Sequence, residues 1–183
     1  MSEDTPRRKK ITIRELQRKM RDDEQIVQMA IYDYRSAVIA DRLGIDILCV
    51  SDTGGMILFG HQSTVTVSFD EVMMMSKAID RGSKYGLRMV DMPYWSFHVS
   101  PEQAVENAGK FVHQANAEVM KCEGNQHHAK NIEAIVKALK EEAALAGKKK
   151  DPAKEQQPAK EKHPAPTCGE CHSAHYDPAG MSR

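Results

Sequence analysis

No stretch of this sequence approaches the roughly 20 consecutive apolar residues that a membrane-spanning helix requires. No secretory leader is expected either, because Met1 to Lys10 are mostly polar and charged and carry no apolar segment. Cytoplasmic residence is therefore the expectation, with no membrane partner. Net charge is also missing: 26 Lys and Arg residues balance 26 Asp and Glu residues. No bulk field draws the chain to nucleic acid, and none is expected as a partner. Cysteine is sparse, with four in 183 residues, and in the cytoplasm these are expected to stay reduced. Cys49 and Cys122 lie inside apolar runs and read as small buried hydrophobes. The length suits one well-buried domain and is short for two.

What is present is a repeated pattern of an apolar run, an acid and then a helical segment. Ile45-Asp46-Ile47-Leu48-Cys49-Val50 leads to Asp52, Leu87-Arg88-Met89-Val90 to Asp91, and Val119-Met120-Lys121-Cys122 to Glu123. In a parallel α/β sheet the residues just past the strand ends gather on one face, where such folds place their chemistry. Two aspartates and a glutamate there are hard oxygen ligands suited to Mg²⁺. Each acid taken alone is more often a structural helix cap or loop residue; three at successive strand ends favour a site. Strand alternation puts Lys121 on the same side as Glu123, and an inward lysine needs a partner.

The rest of the chain fits the repeat. Thr12-Ile13-Arg14-Glu15 has capping-box spacing and predicts a helix to about Asp23. A strand is expected over Gln25–Ala30, then Tyr32-Asp33-Tyr34, then a helix over Ser36–Leu43 closed by Gly44. Ser51-Asp52-Thr53-Gly54-Gly55-Met56 reads as a turn whose paired glycines let the backbone approach a ligand. Ser68-Phe69-Asp70-Glu71 is a second capping box, opening a helix to about Arg81 that stops at Gly82. Met73, Met74 and Met75 fall on that helix as core and rim. Ser100-Pro101-Glu102-Gln103 starts another helix, to about Gln114, and a last one is expected over Lys130–Leu145. His127 and His128 read as surface residues of a polar loop.

Four βα units are legible, about half of an eight-stranded barrel. Three regions follow: residues 1–10 as a disordered N-terminus, 11–146 as a partial (β/α) barrel, and 147–183 as a flexible Lys/Pro/Glu-rich tail. The basic run Arg7, Arg8, Lys9 and Lys10 reads as solvated tail rather than a phosphate-binding arm. The tail holds Cys168-Gly169-Glu170-Cys171-His172. A C-x-x-C-H sequence is a haem-attachment pattern, and with His175 it could bind zinc. A chance motif is the plainer reading.

The motifs, taken together, resemble the ketopantoate hydroxymethyltransferase (3-methyl-2-oxobutanoate hydroxymethyltransferase) family. The likeness runs through Tyr32-Asp33-Tyr34, Ser51 to Met56, Gly60-His61-Gln62-Ser63-Thr64 and Lys77 to Gly82. It continues through Asp91-Met92-Pro93-Tyr94, Ser100-Pro101-Glu102, Glu106 to Gly109 and Lys121 to Gly124. The resemblance implies a TIM barrel of the phosphoenolpyruvate-mutase/isocitrate-lyase type. It also implies transfer of a hydroxymethyl group from 5,10-methylenetetrahydrofolate to a small-molecule 2-keto acid in pantothenate biosynthesis. Asp52, Asp91 and Glu123 would then form the Mg²⁺ site. Thr53 and Lys121 would contact the keto acid alongside Asp52 and Asp91, with Lys121 the catalytic residue.

The departures are specific. The family pattern has an acid at Gln62, Leu-Pro at Val65-Thr66 and a histidine near Met75. The second half of its barrel, with the glutamate expected as general base, has no counterpart in the legible units. Impaired activity is therefore expected. Two other readings stay open: a non-catalytic half-barrel that acts as a homo-oligomer or interaction protein, and another Mg²⁺-dependent carbon–carbon lyase or transferase of the same superfamily. Open sheet edges make a homo-oligomer the expected state.

Overall fold

The computed structural model describes residues 8–148. Met1–Arg7 and the segment after Lys148, including Cys168, Cys171, His172 and His175, lie outside the described residues, and so do most of the tail's expected features.

The chain starts with α1 (Ile13–Arg21), whose N-cap Thr12 accepts from the Glu15 backbone N–H. Then β1 (Gln28–Ile31), α2 (Tyr34–Leu43), β2 (Ile47–Val50) and α3 (Gly54–Phe59) alternate. They are followed by α4 (Phe69–Gly82), β3 (Leu87–Asp91), α5 (Pro101–Ala115), β4 (Val119–Lys121) and α6 (Ala129–Lys148). The four strands form one parallel sheet in the order β1-β2-β3-β4.

Local chemistry explains the boundaries. Asp33 caps α2 by accepting from the Ser36 N–H at 2.9 Å, so the helix begins at Tyr34, two residues earlier than expected. Gly44, at φ 91°, ends it in the left-handed conformation that glycine adopts without strain. Ser68 and Glu71 form the expected capping box of α4, and Ser100 with Pro101 opens α5. β1 begins at Gln28, three residues after its expected start. β2 begins at Ile47, just after Asp46, whose carboxylate accepts from the Val27 N–H and from Lys19 Nζ at 2.7 Å. β4 ends at Lys121, two residues short of the expected Glu123.

One face of the sheet carries the core. Ile31, Leu48, Val50 and Val90 pack with Ala37 and Ala40 of α2, Val72 and Ile79 of α4, and Ala104, Ala108 and Phe111 of α5. Full burial of a side chain such as Phe111 stabilises by about 1.5–3 kcal/mol. Met73 and Met75 belong to this core and Met74 to the exposed rim, as their helical spacing predicts.

Two expectations are corrected. The paired glycines do not form a ligand-facing turn; they are the buried start of α3. A Cβ on Gly54 would meet Met75 Sδ at 2.5 Å and Tyr32 at 2.7 Å, and one on Gly55 would overlap Val67. Small size, rather than backbone freedom, is what the position demands. The second correction concerns residues 8–10, expected to be disordered. Arg8 donates to the carbonyls of Asp41 and Ile45. Lys10 bonds the Gly86 carbonyl and pairs with Glu118 at 2.7 Å. These basic side chains bind carbonyls at the sheet's N-terminal end, in the last turn of α2, just after it, and just before β3.

Candidate active site

The strand ends at the opposite, C-terminal edge of the sheet bring four sequence-predicted residues together. Asp52, Asp91, Lys121 and Glu123 line one narrow cleft of about 80 Å³ with Thr64, Met92, Tyr94, Phe97 and His98. Register explains part of this. Asp91 is the last residue of β3 and stands directly opposite Lys121, the last of β4. The Lys121 ammonium lies 3.0 Å from Asp91 Oδ2 and 2.6 Å from Glu123 Oε1. Lys121 and Glu123 therefore do share a side, as strand alternation implied, and the inward lysine has its partners.

The electrostatics follow from burial. Asp91 is only 3% exposed. Burial, then the neighbouring Asp91 charge, raises the Asp52 carboxyl above the ordinary aspartate range. Burial works against the Lys121 ammonium, but its hydrogen bonds to Glu123 and Asp91 outweigh it and hold the group charged, well above an ordinary lysine. Cys49, read from sequence as a plain buried hydrophobe, places its Sγ 3.6 Å from Asp91 Oδ1. Burial and the Asp91 charge push that thiol up to about 12, so it stays protonated.

Thr53 sits beside the cleft in a chain of hydroxyls. Its Oγ1 donates to Ser51 Oγ at 2.9 Å and lies 3.1 Å from the Tyr32 hydroxyl.

The three carboxylates bring a formal charge of three against one ammonium, all with oxygen donors, which is the donor chemistry of a hard divalent cation. Among the described residues no three acidic, histidine or cysteine groups are already drawn into a ligand cluster. Lys121 occupies the space between Asp91 and Glu123 instead. Asp52 and Asp91 fit a water-rich cation site, and Glu123 fits as a ligand once it leaves Lys121.

Sequence reading missed the aromatic wall. Tyr94, Trp95, Phe97 and His98 follow β3 in a tight loop in which Trp95 takes φ 69° and its N–H donates to His98 Nδ1 at 3.2 Å. His98 packs 4.1 Å from the Phe97 ring and 4.5 Å from the His128 ring, centroid to centroid. Burial and the His128 charge lower the His98 imidazole below its ordinary range. His128 is thus no simple surface residue. The cluster of aromatics in Tyr94-Trp95-Ser96-Phe97-His98, in a chain with few others, was the available signal.

The fold is shared with solved structures: 2,3-dimethylmalate lyase, itself a phosphoenolpyruvate mutase/isocitrate lyase superfamily member, aligns with TM-score 0.56 at 14% identity. That match covers 70% of this chain and 48% of the lyase. Oxaloacetate acetylhydrolase aligns at 0.54 and 16%, over 66% of this chain and 46% of the other. The α/β fold is the one these structures share over the matched residues. The ketopantoate hydroxymethyltransferase family model matches residues 10–139, and the chain belongs to that family. A 3-methyl-2-oxobutanoate hydroxymethyltransferase of Chloroflexus aurantiacus is 40% identical over 129 residues, 70% of this chain and 46% of the relative. One of Dehalococcoides mccartyi is 38% identical over 125 residues, 68% of this chain and 45% of the relative. The chain spans about half the length of the curated relatives it matches.

Proposed function

We propose that this chain binds a 2-keto acid with Mg²⁺ at the cleft of Asp52, Asp91, Glu123 and Lys121. In this reading it carries the keto-acid side of hydroxymethyl transfer from 5,10-methylenetetrahydrofolate to 3-methyl-2-oxobutanoate. The observation that carries the reading is the Asp91–Lys121–Glu123 arrangement, with half-buried Asp52 beside it, at the strand ends of a chain in this family.

A divalent cation held by Asp52 and Asp91 would polarise the substrate's keto oxygen and so acidify the adjacent C–H. Every other contribution comes from the chain. Lys121, held charged by Asp91 and Glu123, is placed to balance a substrate carboxylate or a developing oxyanion. Phe97, Tyr94 and Met92 narrow the cleft and limit water around those charges. Asp91 orients Lys121 through their 3.0 Å bond. The Thr53–Ser51–Tyr32 hydroxyl chain fixes the start of α3, directly after Asp52.

The positioned base and the folate wall belong to strands beyond the four described here. Losing a positioned base typically costs about 10²–10⁴-fold in rate. The expected result is binding with little full transfer. Calorimetric titration of 3-methyl-2-oxobutanoate with and without Mg²⁺ tests it. Binding should require the metal and vanish in Asp91→Ala. Equal binding without Mg²⁺, or in that variant, overturns the site.

A further inference from the structure

We infer that two copies of this chain close one eight-stranded barrel, the β4 edge of each pairing with the β1 edge of the other. The inference concerns the sheet and stands apart from the keto-acid reading.

The sheet has two free edges among the described residues, β1 and β4, and all its strands run the same way. Four twisted parallel strands are half the circumference of a closed barrel of about eight. A two-fold axis parallel to the strands sets β4 of one copy beside β1 of the other, parallel, and does so twice. Such a closed arrangement leaves no edge.

The sheet's second face shows what is lacking. Ile31, Leu48, Val50 and Val90 point into the helix-covered core. Their alternates in one register row are Ala30, Cys49, Met89 and Val119, and Cys49 shows their direction by reaching the Asp91 carboxylate. In barrels of this kind that face is a packed core, filled in layers by all the strands. Here Ala30 is exposed, and Met89 and Val119 are half-exposed, with no described element facing them.

Both junctions are apolar as well. Met29, on the β1 edge, is 45% exposed. An apolar gully of about 530 Å³ runs beside β4, lined by Met120, Cys122, Ile132 and Val136 among others. Residues 149–183 contain no Val, Ile, Leu, Phe or Trp to cover these surfaces. A second copy offers a parallel edge of matching apolar character, so a second copy is the occupant.

Sedimentation equilibrium of the full chain, with hydrogen exchange at two concentrations, tests this. At tens of micromolar the expected mass is twice the 20.5 kDa of one chain. Backbone amides of both β1 and β4 should exchange about tenfold or more slowly than in dilute solution. Met29→Lys, a charge on the edge, should restore the single-chain mass, while Met74→Lys on the exposed rim of α4 should not. A single-chain mass at every concentration, protection of one edge or neither, or a dimer indifferent to Met29→Lys overturns the proposal. So does closure that appears only when a different polypeptide is added. None of these readouts depends on keto acid or metal, so failure here leaves the site's own test untouched.

Discussion

At the residue scale, Asp41 shows how much one buried carboxylate can organise. It lies on α2 at 4% exposure and accepts from the backbone N–H groups of Lys84, Tyr85 and Gly86, the last at 2.8 Å. Burial raises its carboxyl, but the three N–H donors outweigh that and hold it below the ordinary aspartate range. A depressed folded-state value means that the stabilisation is present above the unfolded aspartate value of about 3.9 and is lost as pH falls through the folded value. Asp41→Ala strands three donors and should cost about 3 kcal/mol. Asp41→Asn should flatten the acid limb of stability below about pH 4. Urea midpoints measured across pH check both, and an unchanged acid limb in Asp41→Asn removes the role. This residue was not legible in the sequence. Its partners lie more than forty positions away, and nothing local marks an α2 aspartate as the anchor of the loop into β3. The same is true of Arg8 and Lys10, whose acceptors are carbonyls of distant elements. By contrast Asp52, Asp91, Lys121 and Glu123 were legible, because the end of an apolar run fixes where a side chain emerges.

At the element scale, helix starts were readable wherever a cap is local. Thr12, Ser68 and Ser100 each accept from a backbone N–H three residues on, and each had announced its helix. Strand ends were less readable, since β1, β2 and β4 are only three or four residues long. Their limits depend on partners such as Asp46 rather than on pattern. α3 was missed because its first two residues are glycines, poor helix formers that look like a turn. Only the structure shows Tyr32 and Met75 pressing on Gly54, and Val67 on Gly55. Gly55→Ala should therefore destabilise through overpacking by about 1–3 kcal/mol, although alanine is the better helix former. A urea melt decides between the two effects: a lower midpoint supports the packing account, and a higher one favours propensity.

At the scale of the whole molecule, four βα units give a sheet with a well-filled helix side and an open inner side. The C-terminal edge of that sheet holds Asp52, Asp91, Glu123 and Lys121, with Phe97 and His98 as a wall. The chain belongs to the ketopantoate hydroxymethyltransferase family and spans about half the length of the curated relatives it matches. Repeat counting made the four βα units legible from sequence, because each unit announces itself by a strand, an acid and a capped helix. The aromatic wall was not legible, since the left-handed Trp95 and the His98–His128 packing arise from loop closure. In the proposed function the cleft activates a 2-keto acid with no positioned base among the described strands. Exchange of the 3-position hydrogen of 3-methyl-2-oxobutanoate in D₂O measures that step without folate. The account predicts Mg²⁺-dependent exchange above the protein-free rate, about 10²–10⁴-fold slower than a full-length relative measured alongside. It also predicts loss of that exchange in Asp52→Ala and Lys121→Ala. Exchange as fast as in the full-length relative, or exchange that survives both substitutions, would contradict it.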